Sequence, residues 1–119
     1  MPAYRVNFLF KHSLGGWSET YFTEEANITS AFYFTAADGV YGASGHRPNS
    51  VRAGTALRLL TFCVLVLRNG FTVTGESACV SPENFDAELG RKIARQNAIA
   101  KVWPLMGYAL RESLCTANV

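Results

Sequence analysis

Apolar and polar residues alternate through most of residues 4–10, Tyr-Arg-Val-Asn-Phe-Leu-Phe, which is the period of a half-buried strand. Ser13, Leu14, Gly15 and Gly16 form a turn signal. Residues 17–22 are then predicted to return antiparallel, closing a hairpin. Thr23 suits the N-cap of a short helix, with Glu24 and Glu25 at its positive end. Residues 26–33 read as two turns of that helix, Ile28 and Phe32 sharing a face four residues apart. Residues 38–50 hold Gly39, Gly42, Gly45 and Pro48 and predict a loop. Residues 51–60 predict a second short helix, with Ala53, Leu57 and Leu60 inward.

The clearest local pattern follows. Residues 61–68 form an almost wholly apolar run, then come Asn69-Gly70, then the alternating Phe71-Thr72-Val73-Thr74. Asn-Gly between two β-rich runs predicts a hairpin whose turn residues both accept φ > 0. The first strand is apolar on both faces, so it is expected to be central and covered on both sides. Ser81-Pro82-Glu83 marks a helix start: hydroxyl cap, proline in the first turn, then an acid. Phe85, Leu89, Ile93, Ala100 and Trp103 fall close to one stripe and are expected to face the core. Pro104 is expected to kink or end this helix. A shorter helix over residues 105–114 then buries Met106, Leu110 and Leu114, and the last five residues fray. The fold class expected is α+β: a small antiparallel sheet built from β-hairpins and packed by a long C-terminal helix kinked at Pro104. Residues 1–22 read as an additional hairpin on a domain of residues 23–119, within one compact unit.

Composition narrows the class. With 119 residues, 49% apolar and 17% charged, the chain has enough apolar surface for one folded domain. Its longest apolar run, residues 62–67, falls far short of the ~20 residues that span a bilayer. The N-terminus lacks the apolar stretch and cleavage site of a signal peptide. The net charge of +2 does not by itself announce nucleic acid. It divides unevenly, −1 over residues 1–50 and +3 over residues 51–119. Cys63, Cys79 and Cys115 are an odd set whose spacings fit no metal pattern, which suits a reducing compartment. Cys63 reads as a small core residue. Cys79, beside the predicted helix start, is a weak candidate for a reactive thiol, with no histidine near it in sequence.

Five segments carry a family resemblance: EEANITSAFYFTAADGVYGA at 24–43, CVLVLRNGF at 63–71, VTGESACVSPENFD at 73–86, GRKIARQNA at 90–98 and WPLMGY at 103–108. Together they resemble a family of small accessory proteins of tailed bacteriophages, named after gene products of a coliphage and a Shigella phage. The resemblance covers roughly residues 24–114 and leaves residues 1–22 outside. It implies a phage or prophage origin and action in the bacterial host cytoplasm. It assigns no catalytic residue.

The chemistry is therefore read from the residues. Glu76, Asn84, Asp86, Arg91, Arg95 and Asn97 cluster where the second hairpin meets the long helix. There a helix N-terminus with Arg91 and Arg95, four apart, would suit an anion such as a nucleotide phosphate. The plainer reading is that these residues cap, pair and bond locally. No nucleophile–base pair or metal-ligand cluster accompanies the acids, so no enzyme, metal or cofactor is expected. Arg91, Lys92, Arg95 and Lys101 could follow a nucleic-acid backbone, but Asp86 and Glu88 dilute them, and this is the weakest reading. Trp17 and Tyr21 in the first hairpin are candidate interface anchors. The function expected is a non-enzymatic, anti-CRISPR-like protein that binds a host bacterial protein complex. The alternative is a sponge for a nucleotide signal. A homodimer is one way to cover hairpin edges.

Overall fold

A computed structural model of the chain describes residues 5–11, 17–48 and 50–117, with side chains from residue 26 onward. Strand β1 (Arg5–Lys11) and strand β2 (Trp17–Thr23) pair antiparallel, Arg5 opposite Thr23 and Lys11 opposite Trp17, as the alternation predicts. The turn expected at 13–16 lies outside the described residues.

The next segment differs from expectation. Helix α1 is only Glu24–Asn27, and the chain then extends into strand β3 (Ile28–Thr35) rather than continuing as a helix. Ile28, Thr29, Phe32, Tyr33, Phe34 and Thr35 are β-branched or aromatic and favour a pleated surface. A ready partner decides the matter: β3 pairs antiparallel with strand β4 (Leu60–Leu67), with a register shift between Ile28 and Ser30. Thr29 donates its hydroxyl to the Val66 carbonyl at 3.0 Å across the shift.

The loop expected at 38–50 is largely helical. Helix α2 (Ala36–Ser44) starts with a capping box: the Asp38 amide donates to the Thr35 hydroxyl at 3.1 Å, and the Thr35 amide donates to the Asp38 carboxylate at 2.9 Å. Only Gly45 of the three glycines ends a helix. It sits at φ 74°, and its amide donates to the Tyr41 carbonyl. Helix α3 (Val51–Arg58) follows as predicted, capped by Ser50. Leu57 and Leu60 are half-buried, whereas Ala53 is exposed.

Strand β5 (Thr72–Ala78) completes a three-stranded antiparallel sheet in the order β3-β4-β5, so β4 is central as expected. The hairpin between β4 and β5 is real, but its turn is not the two-residue form. Gly70 donates to the Leu67 carbonyl, Leu67 donates to the Phe71 carbonyl, and Gly70 alone has positive φ, at 89°. This is a three-residue connection with glycine at the left-handed position. Asn69 keeps negative φ while its side-chain oxygen accepts from the Phe71 amide.

Helix α4 (Ala87–Ala117) packs along β5 and β4. It starts later than Ser81 predicts, because Pro82–Asn84 form a separate turn of 3-10 helix. It also runs unbroken through Pro104 to Ala117, so neither a helix end at Pro104 nor a frayed 115–117 is found, and the kink is not confirmed. A proline inside a helix removes one hydrogen bond and costs ~3 kcal/mol. Val102, fully buried just before it, and Trp103 and Met106, packed on the core around it, hold both sides against the domain.

The side of α4 that meets the sheet is also not the expected one. Gly90, Ala94, Ala98, Ile99 and Val102 are buried, while Leu89 is 50% exposed and Ile93 and Ala100 are exposed. Gly75 on β5 explains this. A Cβ there would lie 2.1 Å from the Ala94 carbonyl oxygen and 2.3 Å from the Ala98 nitrogen. Helix and strand backbones approach so closely that only Gly90, Ala94 and Ala98 fit the seam. The rest of the core is Cys63, Leu65, Leu67 and Val73 on the inner sheet face.

Candidate functional site

Strand periodicity divides the sheet into two faces. On β4, Thr61, Cys63, Leu65 and Leu67 point inward and are buried, while Phe62, Val64 and Val66 point outward and are half-buried. The outer partners across β3 are Phe34 opposite Phe62 and Phe32 opposite Val64. The rings of Phe34 and Phe62 meet with centroids 5.6 Å apart. Phe32 is 57% exposed. On the β5 side the same face turns polar: Thr72, Thr74 and Glu76 stand opposite Val66, Val64 and Phe62. α2 reaches the rim, where a Cβ on Gly39 would lie 3.7 Å from the Phe34 ring. The outer face is thus an apolar, aromatic centre beside a polar border. Sequence reading missed it by expecting β4 to be covered on both sides.

The polar cluster predicted at the start of α4 is placed as follows. Asp86 caps the helix, its carboxylate accepting from the Glu88 amide at 3.0 Å and the Leu89 amide at 3.2 Å. Those are the free N–H groups an anion would need. Asn84 and Asp86 line a small cavity of about 130 Å3 with Thr61, Ser77, Cys79 and Gly90. Arg91 is exposed on α4. Arg95 turns to the sheet, its guanidinium donating to the Tyr33 hydroxyl at 3.3 Å. Asn97 donates to the Glu76 carbonyl at 2.7 Å, tying α4 to edge strand β5. The structure therefore brings Glu76 and Asn97 together and sets Arg91 and Arg95 to different tasks. Trp17 and Tyr21 fall on β2, and their side chains lie outside the described residues.

Cys63 and Glu83 are titratable groups that the fold shifts. Burial pushes the Cys63 thiol above its ordinary value, against the opposing effects of a hydrogen bond with Tyr33 and the nearby Arg95 charge. Cys63 is thus held neutral in the core. The Ser81 hydroxyl, donating to the Glu83 carboxylate, holds the exposed Glu83 below its usual range. Cys79 is partly buried and donates its thiol to the Ser81 carbonyl at 3.1 Å. Among the described residues no group of three or more His, Cys, Asp or Glu side chains gathers in a way that could hold a metal ion. Among them too, no helix is long and apolar enough to cross a membrane.

A protein-family profile matches residues 20–114, which takes in both faces of the sheet, α2, α3 and nearly all of α4. The chain belongs to the phage protein (N4 Gp49/phage Sf6 gene 66) family. The match begins inside β2, a few residues before the segment that the sequence motifs mark, and leaves β1 upstream of the family region. No curated protein and no solved structure matches the chain. Family membership makes this a phage protein, and the residues must supply the rest.

Proposed function

We propose that this phage protein acts without catalysing a reaction, by binding and blocking a host bacterial protein, with an anti-phage defence complex of the CRISPR-effector kind as the target class. The observation that carries the reading is the outer sheet face. Phe32, Phe34, Phe62, Val64 and Val66 form a contiguous apolar surface on adjacent strands, with Thr72, Thr74 and Glu76 along one border. Aromatic anchors in an apolar centre beside a polar rim are the anatomy of a protein–protein contact. Exposing such a surface disfavours the isolated state unless a partner covers it. For a phage protein working in the host cytoplasm, the proteins at hand are the host's.

The test is affinity capture from host lysate, with the tagged chain compared with the double variant Phe32→Thr and Val64→Thr. A defined host complex held by the parent and lost by the folded double variant is the expected result. Capture of nothing by the parent, or equal capture by both, would remove the proposal.

A further inference from the structure

A second cavity lies away from the outer sheet face. It is a cleft of about 660 Å3 between α2 and α3, lined by Asp38, Tyr41, Arg47, Ser50, Thr55 and Arg58 among others. That volume lies inside the range of small-molecule sites. Its charge is the informative feature. Two guanidinium groups, Arg47 and Arg58, line one cleft against a single carboxylate, Asp38, which already accepts from the Thr35 amide. Among the described residues neither arginine makes a hydrogen bond or an ion pair. Two like charges facing one cavity against a single carboxylate leave a net positive charge there, which favours an anion. A planar guanidinium presents paired N–H donors that match phosphate oxygens. Tyr41 adds an aromatic surface to the same wall and is 54% exposed. Every nucleobase has a π-face that can stack on such a ring.

We propose that the α2–α3 cleft is a nucleotide site, with Arg47 and Arg58 taking the phosphates and Tyr41 stacking on the base. The site is independent of the sheet-face reading, because it uses none of the same side chains. It also differs from the anion site that the sequence suggests at the start of α4, where Asp86 already occupies the N–H groups. α2 and α3 are each fixed by their own cap, so Tyr41 and Arg58 are carried on preformed helices, with Arg47 on the short connection between them.

The experiment is calorimetric titration of the full chain with ADP, with pyrophosphate and adenosine as separate probes. ADP is expected to bind at one site per chain. Arg47→Ala, at an exposed position outside both helices, is expected to weaken ADP at least about tenfold, the loss that follows from removing a charged hydrogen-bond donor. Arg58→Ala is expected to do the same with an unchanged far-ultraviolet circular dichroism spectrum. Tyr41→Leu is expected to weaken ADP and leave pyrophosphate as it was. Absence of ADP binding at millimolar concentration overturns the proposal, as does ADP affinity unchanged in both arginine variants. Pyrophosphate binding as tightly as ADP overturns the nucleotide assignment in favour of a phosphate-only site.

Discussion

The two faces of the β3-β4-β5 sheet are built from the same kind of residue and meet different fates. On β4 the inner positions Cys63, Leu65 and Leu67 are buried under α4, while the outer positions Phe62, Val64 and Val66 are equally apolar and remain half-buried. The difference lies across the gap. Inward, Gly75 lets a helix backbone come within contact distance. Outward, among the described residues, α2 meets the Phe34 end of the face, and the outer positions of β4 stay half-buried. Apolar character thus marks a surface that prefers not to meet water, and only the neighbouring element decides whether the fold or a partner covers it.

The strongest way to break this comparison is at Gly75. In Gly75→Ala the new Cβ meets helix backbone rather than a yielding side chain, so α4 must move away along the whole seam. A loss of ~3 kcal/mol or more is expected, enough to lower Tm by more than about 10 °C. A variant that melts within a few degrees of the parent would mean that the close approach is wrong. Leu65→Ala comes next. Leu65 is fully buried at the middle of the inner face, and its truncation is expected to cost ~2–5 kcal/mol in urea unfolding.

Cys63 tests the inner face by pH. Burial raises its thiol above the ordinary 9.0 in the folded state. As pH rises past that value the unfolded thiol loses its proton first, so the unfolded chain binds fewer protons and stability falls. Below it both states are protonated and the group is silent. The slope approaches at most ~1.4 kcal/mol per pH unit. A melting series from pH 7 to 10 should therefore show a steeper alkaline decline for the parent than for Cys63→Ala, and equal slopes would place the thiol in water.

On the outer face the expected stability effects shrink. Phe32→Thr keeps a β-favouring residue and removes an exposed ring, so stability should change by less than ~1 kcal/mol while host capture falls. A large loss of stability would show that the outer face is core. The smallest effect is expected at Thr61, the buried polar side chain of the described residues, whose hydroxyl makes no hydrogen bond with any of them. Thr61→Val removes an unpaired polar group at nearly constant shape and should leave the midpoint unchanged or raise it slightly, by up to ~1 kcal/mol. A clear loss would reveal a partner for that hydroxyl.

Much of this architecture is legible in the residues. The alternation in β1 and β2, the apolar run of β4, the Asn69-Gly70 hairpin and the long C-terminal helix are local patterns that carry their own periodicity. Misreadings occur where two local rules compete. Residues 28–35 carry helical spacing and β-branched composition at once, and pairing with β4 decides between them. Gly39, Gly42 and Gly45 look like a loop, but the capping box of Thr35 and Asp38 was a readable signal for α2. The candidate surfaces were the least legible part. The outer face was hidden because an all-apolar strand looks the same whether covered once or twice. The α2–α3 cleft was hidden because Arg47 and Arg58 are eleven positions apart and converge only when both helices form.

By itself, then, the sequence determined the α+β class, the central β4, the hairpin after it, and a phage family through motifs that run the length of the domain. These depend on near neighbours or on direct likeness. Tertiary structure alone decided that small residues rather than large ones form the seam of α4. It also decided that the outer positions of β4 stay half-buried while the inner ones are buried. Each of these depends on the distance between segments far apart in the chain, and side-chain periodicity carries no record of that distance.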